Sequence, residues 1–88
     1  MQTRVMMLPV LEGKIDQLID VVKGDIAPVL HKLEGFHAGF VLTDKETNRA
    51  LTISIWDSEW QMLASEECPV YVEQIAKMTA FLREPPTP

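Results

Sequence analysis

The chain has 88 residues, which is enough for one domain and too short for two. Its formal charge is −5 and its eight Lys and Arg residues are scattered singly, which excludes nucleic acid and an anionic membrane surface as expected partners. A single cysteine cannot form an internal disulfide, and no apolar run approaches the roughly 20 residues of a membrane span, so a cytoplasmic protein is expected.

The first predicted element is a strand over residues 3–10 that is apolar on both faces. Pro9 cannot donate to a β-ladder, so this strand is expected to lie at a sheet edge or to end there. An apolar stripe with helical spacing over residues 11–33 then predicts one long amphipathic helix. Because Pro28 removes the hydrogen bond to the carbonyl of Gly24, we expect a local kink at that point.

Gly35 supplies the left-handed conformation that ends this helix. Two strands, residues 36–43 and 49–56, are joined by a short polar turn and predict an antiparallel hairpin. Residues 58–61, Ser-Glu-Trp-Gln, form a capping box that begins a second helix. Pro69 is placed at the first turn of a third helix, because that position needs no N–H donor.

The order of strand, helix, two strands and helices predicts an α+β fold, namely a ferredoxin-like split β-α-β unit with an antiparallel sheet. Such a unit ends with a further strand, and none is predicted after residue 82, so the last strand is expected to be absent. Residues 1–84 are predicted to form a single domain and residues 85–88 a proline-rich tail.

Alternation along the hairpin divides the sheet into two apolar faces. The helices are expected to cover the face of Phe40 and Ile53, which leaves the face of Val41 and Trp56 without cover. An uncovered apolar face marks an interface or a ligand groove. We therefore expect a twofold homodimer that encloses an apolar cavity between two sheets. The alternative is that a further segment covers this face within one chain.

A family resemblance is carried by three neighbouring segments. Residues 33–40, Leu-Glu-Gly-Phe-His-Ala-Gly-Phe, precede the turn at residues 44–50, and the next strand ends in Trp56 just before the capping box. This progression resembles the antibiotic biosynthesis monooxygenase domain, a branch of the dimeric α+β barrel superfamily. The resemblance implies a homodimeric barrel that works without a cofactor or a metal ion on a small apolar or aromatic molecule.

The candidate catalytic residue is His37, the one ionisable side chain predicted on the cavity side of the hairpin. A histidine titrates near neutrality and suits the deprotonation of a phenol that then reacts with O₂. The alternative is a partly exposed histidine without an orienting partner. Trp56 is expected either to stack on a flat ligand or to anchor the dimer. The predicted ligand contacts are Trp56, Val41, Thr52, Ser54, Met7 and Tyr71.

Two functions follow from these observations. The resemblance implies a cofactor-independent monooxygenase that acts on a small aromatic or phenolic compound. The lack of a polar catalytic set in the sequence favours a non-catalytic homodimeric module of the same fold that binds an apolar ligand. Whether the chain is an enzyme stays open at this point.

Overall fold

The structure is a computed structural model that describes residues 1–87. Its elements in chain order are β1 (Gln2–Pro9), α1 (Ile15–Val21), a π-helical segment (Val22–Ile26), α2 (Ala27–Leu30), β2 (Phe36–Asp44), β3 (Arg49–Trp56), α3 (Glu59–Ser65) and α4 (Pro69–Thr79). The strands form one antiparallel sheet in the order β1-β3-β2. The predicted α+β fold with an antiparallel sheet is confirmed.

The long helix adapts to Pro28 differently from the expected kink. Residues 22–26 form a π-helical turn, in which the N–H of Ala27 donates to the carbonyl of Val22, five residues earlier. Pro28 has no N–H that could donate to the carbonyl of Gly24. The wider π-helical turn accommodates this missing hydrogen bond. The helical run also begins later than predicted, at Ile15.

The ends of the helices follow local sequence signals. Gly35 has a φ of +84°, and a Cβ there would lie 2.6 Å from the side chain of Gln61, so both backbone conformation and space require glycine. Ser58 caps α3 by accepting a hydrogen bond from the N–H of Gln61 at 3.2 Å. Pro69 occupies the first turn of α4. The left-handed Gly35, the Ser58 cap and the position of Pro69 are confirmed. The Gln61 side chain completes the predicted capping box differently, because its Oε1 accepts from Ser58 Oγ at 3.0 Å, and α2 already ends at Leu30.

The prediction of which sheet face the helices cover is wrong. The helices cover the side that carries Leu8, Ala50 and Trp56, all of which are buried. The other side is open, and its large side chains are 44–55% exposed, namely Val5, Met7, Phe40 and Leu42. Both faces of the hairpin are apolar, so alternation separated them without showing which one the helices cover. The register of β1 places Leu8 beside Ala50, and the burial of both residues identifies the face that the helices cover.

The residues after α4 run along the outer edge of β1. The N–H of Arg83 donates to the carbonyl of Pro9 at 2.8 Å, and Met7 and Thr87 exchange two hydrogen bonds of 2.7 and 3.1 Å. These contacts form isolated bridges and no further strand within residues 1–87. A short segment of the chain therefore pairs with the edge that β3 leaves free.

Candidate functional site

A cavity of about 420 Å³ lies between the sheet and the helices of one chain. Its apolar lining comprises Met6, Ile19, Val22, Ile26, Ala27, Leu30, Phe36, Phe40, Val41, Ile53 and Met78. The volume falls within the range of small-molecule sites. Val41, Thr52 and Ser54, which were expected to face a second subunit, line this cavity within one chain instead, because the helices of the same chain cover their face of the sheet.

The sheet contributes two hydroxyl side chains to the cavity, Thr52 and Ser54. The indole of Trp56 is fully buried behind this wall and donates from Nε1 to the Oγ of Ser54 at 3.0 Å. This bond occupies one lone pair of the serine oxygen and leaves its proton for another acceptor. Ser54 can therefore donate a hydrogen bond to an oxygen atom of a molecule in the cavity.

Arg4 holds the hydroxyl end of Tyr71. Its largely buried guanidinium donates to Tyr71 Oη at 2.7 Å and lies 5.3 Å from the centre of the Tyr71 ring. The same guanidinium donates to Ser65 Oγ at 3.2 Å, to the carbonyl of Met62 at 2.7 Å and to Glu66 Oε1 at 3.2 Å. These charge-assisted bonds join β1 to α3 and α4 and fix the ring that forms part of the cavity wall.

A second cavity, of about 470 Å³, lies on the other side of Tyr71. Arg4, Ile75, Thr79 and Pro86 form part of its wall. Tyr71 and Met6 line both cavities.

The two histidines of the chain occupy different surroundings. His31, which follows α2, lines the first cavity and meets the ring of Phe36 edge to face at 5.2 Å. His37 lies where the register of β2 is irregular; its side chain is 50% exposed, and its Nδ1 is 3.5 Å from Asp57 Oδ1. It does not line the cavity. The candidate base of the sequence analysis is thus outside the cavity, and the other histidine is at its edge.

The structure brings four of the predicted ligand contacts together around the cavity, namely Val41, Thr52, Ser54 and Tyr71. Trp56 stands behind the wall, where its ring meets those of Phe36 and Tyr71 edge to face at 5.3 and 5.8 Å. Met7 lies on the open face of the sheet, and its neighbour Met6 lines the cavity instead.

Sequence reasoning missed the basic residues Lys23 and His31, which both line the cavity. A signal for them exists, because Lys23, Ala27 and His31 follow one another at four-residue intervals and so fall near one side of a helix. The apolar stripe of the same helix predicts the core-facing side and carries no information about these polar residues.

No cluster of three or more His, Cys, Asp or Glu side chains suited to a metal ion occurs within residues 1–87. Cys68 is a free, half-buried thiol. In the same part of the chain, no helix combines the length and the apolar character needed to cross a membrane.

Known structures identify the fold. No family model and no curated protein matches the chain. Solved structures named antibiotic biosynthesis monooxygenases do match it at high probability, so the chain has the fold of these proteins. The identities are below 20%, and the likeness therefore establishes the fold.

Three of these structures illustrate the likeness. A monooxygenase from Streptomyces coelicolor, solved with nanaomycin D, has a TM-score of 0.81 and 17% identity over 97% of this chain and 80% of its own. A candidate antibiotic biosynthesis monooxygenase from Nitrosomonas europaea has a TM-score of 0.74 and 12% identity, covering 97% and 82%. A cofactor-independent oxygenase from Streptomyces nogalater has a TM-score of 0.68 and 13% identity, covering 91% and 81%.

Proposed function

We propose that the chain is a cofactor-independent monooxygenase that oxidises a small phenolic compound inside its cavity. The observation that carries this proposal is a cavity of small-molecule size with an apolar wall, two hydroxyls from β3 and the imidazole of His31. The shared fold with a monooxygenase and with a cofactor-independent oxygenase supports oxygen chemistry on this scaffold.

The proposed reaction needs no cofactor, because the phenol supplies the electrons that O₂ accepts. A base removes the phenolic proton, and the ring carbon opposite the oxygen forms a bond to one atom of O₂. That carbon then loses its hydrogen as a proton, the O–O bond breaks, and the second oxygen atom leaves as water. The product is a quinone. We assign the base to His31, which lines the cavity, in place of His37, which does not.

We further propose that two chains pair through the open face of the sheet. This face exposes Val5 and Met7 on β1 and Phe40 and Leu42 on β2. Ile53 and Leu51 of the central strand β3 pair with residues of both outer strands and lie between them. A contiguous apolar surface of this kind is covered in most proteins, and a twofold pairing covers both copies at once. The lone thiol of Cys68 supports a cytoplasmic location for the dimer.

Oxygen uptake with a panel of dihydroxynaphthalenes tests the activity. We expect uptake by the wild type that falls at least tenfold in Val41→Phe, because the larger ring fills the cavity. Val70→Phe, at a 43% exposed position that does not line the cavity, is the matched control and should keep full activity. Circular dichroism confirms that both variants fold. Absence of uptake in the wild type, or equal rates in both variants, would contradict the proposal.

Binding without chemistry is the second candidate function. The observation in its favour is that no carboxylate from residues 1–87 lines the cavity, so His31 has no acidic partner there to orient its ring. Saturable binding of the same naphthalenes without oxygen uptake would select this function. His31→Gln separates the two, since it should remove oxygen uptake and leave ligand binding within a few-fold of the wild type.

A further inference from the structure

The exposed part of the cavity wall, here called its mouth, contains two basic side chains. Lys23 comes from the π-helical segment and His31 from the residue after α2; both are exposed, and both line the cavity. Neither forms an ion pair with any side chain of residues 1–87. No Asp or Glu of this part of the chain lines the cavity, so its charged groups are basic.

This basic mouth contrasts with the rest of the molecule. The chain carries a formal charge of −5, and the same helical run holds Asp16, Asp20 and Asp25. None of these three lines the cavity, and Asp16 is 3.0 Å from the Nζ of Lys45. The positive charge at the cavity is therefore a local feature that opposes the overall field of the protein.

The π-helical turn contributes to this arrangement. Two residues that are eight apart lie about 80° apart around a regular α-helix, because each residue advances by about 100°. A π-helical turn holds more residues per turn and reduces that angle, which brings Lys23 closer to the side of His31. Pro28, which favours the wider turn, is thus one physical reason why both residues reach the same cavity.

We infer that the cavity takes an aromatic anion, with the ring system against the apolar wall and a carboxylate or an ionised phenol beside Lys23 and His31. This inference rests on the proposed function and adds the chemical class of the ligand. Burial of the rings supplies most of the affinity. The anionic group stays at the mouth in contact with water, so it loses little hydration. It gains the attraction of the Lys23 ammonium and a hydrogen bond from an N–H of the His31 imidazole.

A matched ligand series tests the inference by calorimetry on the wild type. The pairs are 2-naphthoate with 2-naphthamide, and 2,4-dinitro-1-naphtholate with its methyl ether, so that carboxylate and phenolate are compared separately. We expect at least one anion to bind about tenfold more tightly than its neutral partner, since charges at a wet mouth are partly screened. Raising the salt concentration should reduce this preference.

The variant Lys23→Met should lower the preference for the anion several-fold and leave the affinity of the neutral partner unchanged. Lys32→Met removes the same charge from a neighbouring exposed position that does not line the cavity, and it should keep the preference. Equal binding of anion and neutral partner, or equal effects of the two lysine variants, would overturn the inference. Failure of all four compounds to bind would instead overturn the proposed cavity function.

Discussion

At the scale of single residues, the pair of Trp56 and Ser54 links the buried core to the candidate site. The indole is fully buried, and its N–H has the serine hydroxyl as its partner at 3.0 Å. A buried donor without a partner costs about 1–3 kcal/mol, whereas removing both partners together costs much less. The serine therefore satisfies the indole N–H of the core, and its own proton stays available on the cavity side.

We expect Ser54→Ala to lower the free energy of unfolding by about 1–3 kcal/mol, because it leaves the indole N–H of Trp56 without an acceptor. In a Trp56→Phe background the same change should cost clearly less, since no N–H remains to be satisfied. Urea denaturation of the four proteins of this double-mutant cycle gives the coupling. Additive effects would show that the bond contributes nothing to stability.

Individual residues also show where sequence reasoning reaches its limit. Val41, Thr52 and Ser54 were assigned to the cavity from strand alternation, which is a local property. The prediction of His37 as a cavity residue is wrong, because simple alternation from Val41 back to His37 ignores the register shift between Phe36 and Ala38. Asp57, which lies 3.5 Å from His37, follows the next strand, and its proximity depends on sheet register.

At the scale of elements, periodicity predicted the strands and the helical runs, but it did not predict how the long helix accommodates Pro28. A kink and a π-helical turn are two ways in which a helix accommodates the hydrogen bond that a proline cannot donate. Leu18 in α1 and Ile26 in the π-helical segment are both buried in the core. The turn that keeps both residues in the core depends on tertiary packing, which no local sequence pattern contains.

Two glycines give a matched prediction at this scale. Gly24 lies in the helical run, and a Cβ there would meet nothing within 4 Å, so Gly24→Ala should stabilise the fold by about 0.5–1 kcal/mol. Gly35 has a φ of +84° and stands against Gln61, so Gly35→Ala should destabilise the fold by roughly 1–3 kcal/mol. Thermal and urea denaturation measure both. Effects of the same sign would contradict the assigned conformations.

At the scale of the whole molecule, the order of elements was enough to predict the α+β fold and the antiparallel sheet. The order of elements did not predict the place of the cavity, because the hairpin is apolar on both faces. Only the packing of β1 shows which face the helices cover. The last strand was expected to be absent, and the residues after α4 instead form isolated bridges with β1. Both the place of the cavity and the pairing at the edge of β1 depend on contacts between residues that are far apart in the sequence.

Sedimentation equilibrium tests the pairing of two chains. We expect a mass of about 20 kDa for the wild type, twice the 10.0 kDa of one chain. Leu42→Glu places a charge on the open face and should give a monomer. Leu63→Glu, at a similarly exposed position on α3, should remain a dimer. A folded wild-type monomer at micromolar concentration would contradict the proposal.

The central claim is that an aromatic molecule binds between the sheet and the helices of one chain. Three of the five methionines report on it, because Met6 and Met78 line the cavity whereas Met7 lies on the opposite face of the sheet. We propose NMR of protein labelled with ¹³C at the methionine methyl groups, titrated with 2-naphthoate. Ring-current shifts of Met6 and Met78 with Met7 unchanged are expected. Shifts of Met7 without those of Met6 and Met78 would contradict the account.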